Sequence, residues 1–135
     1  MKRQRTIILV VVMLTMIVST AIIAYAGTST EKLKTYDGKT TAEAYLYGDF
    51  NLISKDSSFA YTSIDADSIE YYRAVFVGLF ALDDGVIEDS ITDSKESYAK
   101  LTLLARCDTF KSYHQIKRTV NGEPLADRAI LLVEE

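Results

Sequence analysis

Residue types suited to nucleophilic or metal chemistry are few in this chain. It has one histidine, His114, and one cysteine, Cys107. A thiol becomes a nucleophile when a neighbouring base takes its proton and a third group orients that base. If residues 107–114 form one strand, a rise of about 3.3 Å per residue sets the two roughly 23 Å apart, on opposite faces. A dyad then needs a turn near Asp108-Thr109. A zinc site built from histidine and cysteine needs three or four ligands, so one of each excludes it within a single chain. No Gly-x-Ser-x-Gly elbow, His-Glu-x-x-His motif or phosphate-cradling glycine loop is present.

Carboxylates are more plentiful. Asp65 and Asp67 form an Asp-x-Asp pair, and Asp83, Asp84, Glu88, Asp89 and Asp93 crowd one connection. Calcium takes oxygen ligands, but the spacing does not match the acids and central glycine of an EF-hand loop. Asp83, Asp84, Glu88 and Asp89 are the candidate calcium ligands if loops converge. The same acids are candidates for the general acid and base of a carboxylate-dependent hydrolase. Nothing in the sequence sets two of them at a defined separation, and a solvated acidic loop is the commoner outcome.

Tyrosine is the third resource. Tyr45 and Tyr47 alternate with small and apolar residues and share a face with Glu43 and Asp49. Aromatic rings beside carboxylates can hold a sugar by stacking and hydrogen bonding, or anchor a protein partner, or simply pack on a sheet. Glu43, Tyr45, Tyr47 and Asp49 are therefore the candidate ligand-binding residues, for a protein or a carbohydrate at the cell surface.

The N-terminus bears on where such a surface would work. MKRQR precedes TIILVVVMLTMIVSTAIIAYA, so three positive charges lead into an apolar run closed by Ala24-Tyr25-Ala26. That layout is a secretory signal peptide, with Ala24 and Ala26 small enough for a signal peptidase and Gly27 as the first mature residue. The competing reading is a retained transmembrane anchor. Residues 7–26, at 1.5 Å per residue, span about 30 Å, the thickness of a bilayer core. Either way residues 27–135 lie outside the cytoplasm, and membrane contact is through residues 1–26 only.

The chain has 15 basic and 19 acidic residues; without Lys2, Arg3 and Arg5, the remainder holds 12 basic residues and a net charge of −7. An acidic body argues against nucleic acid, whose phosphates demand lysine and arginine. Within it, Lys111, Lys117, Arg118 and nearby Arg106 make a modest basic strip. That split of charge can pair like molecules head to tail or steer a partner, so an oligomer is compatible with the sequence. A lone cysteine forms no internal disulfide. An exported chain with no disulfide and no Asn-x-Ser/Thr sequon has a bacterial character.

Positioning these groups falls to strands. Residues 41–53 alternate with period two, as a half-buried strand does. Residues 59–64 make a second strand, 69–82 a strand buried on both faces, and 98–107 and 110–120 two more; AILLV at 129–133 ends the chain. Residues 27–40 read as a polar leader or linker and 83–97 as an acidic connection. Asn121-Gly122 predicts a hairpin with a frayed second arm, because a type I′ turn suits Asn-Gly and Pro124 cannot donate to a ladder. The expectation is an all-β fold, a small antiparallel β-sandwich or Greek-key barrel over residues 41–135, preceded by an N-terminal apolar helix. The functional expectation is a small exported non-enzymatic binding module. The alternatives are a secreted bacteriocin-like toxin and the hydrolase.

Overall fold

Alternation of inward and outward side chains carries through almost the whole body. A computed structural model describes residues 25–71 and 73–135; the expected apolar helix, and Ala24 of the cleavage triplet, lie outside them. The described residues form β1 (Tyr25–Lys34), β2 (Thr41–Phe50), β3 (Asp56–Ile64), β4 (Ala74–Asp83), β5 (Val86–Glu96), β6 (Tyr98–Ala105), β7 (Thr109–Lys117) and β8 (Ala129–Glu134). One short 3-10 helix, Ala66–Tyr71, joins β3 to β4. No helix among the described residues is long and apolar enough to cross a membrane.

The strands make two antiparallel sheets, β1-β2-β3-β6 and β5-β4-β7-β8, packed face to face in a sandwich-like arrangement. Their inner faces supply the core. On β2, Ala42, Ala44, Leu46 and Phe50 are buried; Val75, Val77, Leu79 and Ala81 on β4 and Phe110 and Ile116 on β7 face them. Many core positions hold alanine, which lets the sheets approach closely in places.

Several elements depart from the sequence expectation. Residues 27–40, read as a leader, supply most of β1, which pairs along its full length with β2 from Tyr25↔Phe50 to Lys34↔Thr41. Ala26 and Gly27, which flank the expected scissile bond, sit opposite Asp49 and Gly48. A cut there removes only the first two residues of a ten-residue strand. Residues 83–97, read as a connection, contain β5, an edge strand exposed along most of its length. Its acids kept it from looking like a strand, yet an edge strand with water on both sides needs no apolar face, and charges there deter edge-to-edge aggregation.

The turns differ in the same way. Between β4 and β5, Asp84 and Gly85 have φ of 48° and 78°, the pair of positive values a type I′ hairpin turn requires. Asn121-Gly122 does not make such a turn. It ends a four-residue β-turn centred on Val120-Asn121, in which the Gly122 N–H donates to the Thr119 carbonyl at 2.9 Å. β7 and β8 do pair antiparallel from Thr109↔Glu134 to His114↔Ala129, through a long loop with one bridge at Lys117↔Pro124. Ser97, φ 62°, is the single residue between β5 and β6 and turns the chain from one sheet into the other.

Replacing Gly85 with alanine isolates the backbone term, since no atom lies within 4 Å of the added Cβ. A left-handed residue with a Cβ costs about 1 kcal/mol. Gly85→Ala is expected to lower unfolding stability by about that amount in urea titrations, with an unchanged m-value; a neutral result would contradict the type I′ assignment.

Candidate functional site

The four residues singled out on β2 fall on one surface. Glu43, Tyr45, Tyr47 and Asp49 alternate with buried neighbours and line the outer face of the β1-β2-β3-β6 sheet. β3 brings Tyr61 opposite Tyr45 and Phe59 opposite Tyr47. The rings form a continuous ladder. Tyr47 stacks on Phe59 with centroids 5.1 Å apart, Phe59 on Tyr45 at 5.5 Å, and Tyr45 on Tyr61 at 4.9 Å with only 8° between planes. Tyr98 of β6 extends it at 6.0 Å, and the Lys100 ammonium lies 4.6 Å from the Phe59 centroid.

Stacking across strands stands the rings on edge. Their π-faces are spent on one another, a cross-strand arrangement that stabilises the sheet. A partner therefore meets ring edges and phenol oxygens rather than open ring faces. Tyr61 donates its hydroxyl to Glu43 Oε1; that bond, aided by burial, pushes the phenol up to about 12. Glu43 thus orients the ladder rather than waiting free for a ligand. Lys32, opposite Glu43 on β1, is turned to Asp65, whose two oxygens it holds at 2.8 and 3.0 Å. Phe59, Tyr61 and Tyr98 were not singled out from sequence. Period-two alternation in 59–64, set antiparallel to β2, is the signal that points to the first two.

The histidine and cysteine do not combine. Cys107 is buried at the corner between β6 and β7. Its backbone N–H donates to Asp56 Oδ2 at 3.0 Å, and burial followed by the charge of Asp56 pushes the thiol up to about 12. That is the opposite of an activated thiolate. His114 is fully buried between the sheets and both ring nitrogens are engaged by hydroxyls. Nδ1 is 2.8 Å from Thr62 Oγ1 and Nε2 is 2.6 Å from Ser112 Oγ. Thr62 donates its own proton to the Phe76 carbonyl at 2.9 Å. Thr62 Oγ1 must then accept from Nδ1–H, which leaves Nε2 to accept from Ser112. The imidazole is neutral and fully satisfied. It resembles a catalytic relay in composition, but no substrate reaches it.

The acidic candidates stay at the surface. Asp83, Asp84, Glu88 and Asp89 surround the β4–β5 turn and are exposed. Among the described residues no three histidine, cysteine or acidic side chains converge as metal ligands, so the calcium candidates are not assembled. The buried acid is instead Asp56, which accepts from the Asn51 and Cys107 backbone N–H groups at 2.6 and 3.0 Å. It pins the β2–β3 turn to the β6–β7 corner. No known protein family matches this chain, and neither a curated protein nor a solved structure does so.

Burial has a measurable consequence at His114. Desolvation lowers its pKa from 6.5 to about 4, against a weaker upward pull from the Tyr61 carbonyl. Below pH 6.5 the unfolded chain binds a proton that the folded chain refuses. Stability is thus complete above 6.5, falls as pH drops, and levels off past about 4, for a total loss on the order of 3 kcal/mol. Asp37, Asp65 and Asp108 are lowered below their usual value of 3.8, so their windows lie under this one. Urea midpoints between pH 7 and 4 are expected to show a one-proton slope that His114→Gln abolishes; a flat profile in the unaltered chain would refute the buried neutral imidazole.

Proposed function

We propose that this chain is an extracytoplasmic, non-enzymatic binding module whose working surface is the tyrosine ladder on the outer face of the β1-β2-β3-β6 sheet. One observation carries the reading: four tyrosines and Phe59, on three adjacent strands, form one continuous row on a solvent-facing sheet. Sheet propensity alone explains aromatic residues on strands, but not an unbroken row of five rings beside Glu43, Asp49 and Lys100.

The ligand class follows from how the rings stand. A sugar ring binds against an open π-face, and in this row most faces are covered by neighbouring rings. A protein surface can use edges, hydroxyls and rigid apolar bodies together, which is why tyrosine is enriched in protein interfaces. A protein partner in the cell envelope or outside it is therefore favoured over a carbohydrate. The acidic body supports export into a soluble or surface setting rather than attachment to nucleic acid. The signal-like N-terminus supports delivery beyond the cytoplasmic membrane, either released after cleavage or held by residues 1–26.

Two measurements test this. A photo-crosslinking amino acid placed at Tyr98 or Tyr47, in the full chain in its native cells, is expected to give one discrete adduct that a probe at Lys55 does not. Uniform labelling at all three positions, or none at any, would refute a dedicated face. Intact mass of the native protein from medium and from washed membranes locates the module. A species starting at Gly27 in the medium means a soluble partner, whereas a full-length species in membranes means a tethered one.

A further inference from the structure

The outer face of the β5-β4-β7-β8 sheet is built differently from the ladder. At its centre is Gly78. A Cβ there would lie 3.0 Å from Phe80 Cε2 and 3.4 Å from Phe76 Cζ, so both rings lean over the glycine and cover the backbone as a floor. Tyr113, opposite Gly78 on β7, meets Phe80 edge-on at 5.2 Å. Three cations rim this floor. Lys111 and Arg128 lie 5.1 and 4.6 Å from the Tyr113 centroid, and Lys117 lies 5.9 Å from that of Phe76. All are within cation–π range. The ion pairs among the described residues are Lys32–Asp65, Lys95–Asp93 and Arg118–Glu123, and none involves these three. Ile130 and Leu132 beside them are 43% and 49% exposed.

The same chain carries the opposite surface. At the β4–β5 hairpin, Asp83, Asp84, Glu88 and Asp89 surround Val86 and Ile87, which are 62% and 57% exposed. Lys95 is the first base after Asp83. We propose that the acidic, apolar tip of this hairpin docks on the cation-rimmed aromatic floor of a second copy. Val86 and Ile87 supply apolar area against Ile130, Leu132 and the rings, and the four carboxylates meet three cations that have no acidic partner of their own. Complementary charge sets register and selects against other partners. A net body charge of −7 repels copies at long range. At physiological ionic strength, however, the Debye length is about 8 Å, so that repulsion is screened while contacting pairs are not.

Tip and floor are different patches, so the contact is heterologous and grows an open row unless the rotation closes a ring. A two-fold packing of floor on floor fits worse. The β5 residues in register with Phe80, Gly78 and Phe76 are Ser90, Thr92 and Ser94, and carboxylates stand at the margins of this face, at Glu96 and Glu134, whereas the hairpin tip gathers four.

The test uses the full chain in mild, density-matched detergent and sedimentation equilibrium. Weight-average mass at about 0.15 M salt is expected to rise at least about twofold with concentration below 1 mM, and to fall to the monomer at about 1 M salt. Lys111→Glu with Arg128→Glu gives an acidic floor and an acidic tip, while Asp84→Lys with Glu88→Lys gives two basic surfaces. Each variant alone is expected to be monomeric, and mixing them restores association. One chain with all four reversals associates as the original does. Two chains that merely share a micelle would ignore these exchanges. The proposal is overturned if the original chain stays monomeric throughout, if either variant associates unchanged, or if mixing fails to restore the contact. A monomer whose floor instead takes up a sulfated glycan probe also overturns it, in favour of an anionic polysaccharide.

Discussion

The hydroxyl of Thr62 ties the two sheets together inside the core by something other than apolar contact. It stands on β3 in one sheet, donates to the Phe76 carbonyl on β4 in the other, and accepts from His114 on β7. Apolar side chains tolerate sliding, because one methyl replaces another at little cost. A buried chain of hydrogen bonds does not. Shifting β3 by one residue would send Thr62 to the outer face and leave the buried Nδ1–H of the imidazole without its acceptor, at a cost of about 1–3 kcal/mol. In a core rich in interchangeable alanines, this network is what makes one register distinct from its neighbours.

The outer faces inherit that register. With Thr62 fixed inward, Tyr61 must point outward, and the β2–β3 pairing then places it opposite Tyr45 and places Phe59 opposite Tyr47. The ladder is thus determined from inside the molecule. Two aspartates hold the ends of the same strand. Asp56 begins β3 and accepts two backbone N–H groups from separate connections. Asp65 follows its last residue and binds Lys32 and the Thr41 hydroxyl. β3 is pinned at its start, middle and end, and its outward side chains are the rings at the centre of the proposed binding face.

How much of this was legible depended on what each residue has as a neighbour. Period-two alternation in residues 41–50 announced β2, and with it the shared face of Glu43, Tyr45, Tyr47 and Asp49. The strand over 69–82 was legible from its apolar run, though it begins at Ala74 because residues 66–71 form a 3-10 helix whose Ser68 side chain accepts from the Thr41 backbone N–H. β1 and β5 were missed for one reason. Both bury little, unlike the edge strands β6 and β8 with their alternating buried residues, so polarity says nothing against them, and only pairing to β2 and β4 defines them. Asp84-Gly85 did carry a hairpin signal equal to that of Asn121-Gly122. The acids on both sides hid the first, while the flanking apolar runs gave the second more weight than Pro124 allowed. The buried network was the least legible feature. A histidine between lysines on an alternating strand looks solvent-facing until Thr62, 52 residues away, is known to lie beside it.

The two outer faces differ through one residue. On β4 the central outward position is Gly78, which lets the flanking phenylalanines fold down, whereas the corresponding rows on β2 and β3 are filled by aromatic rings that hold each other upright. Upright rings expose edges and oxygens and tie three strands together. Folded rings expose broad apolar area on which lysine and arginine stems can rest with their charges still in water. Copies of a body at −7 repel one another almost everywhere. The floor is where unpaired positive charge and open apolar area coincide, and the hairpin tip is where unpaired negative charge and open aliphatic area coincide. In the proposed assembly, contact between copies is directed to one geometry, which leaves the proposed tyrosine face clear for a different partner.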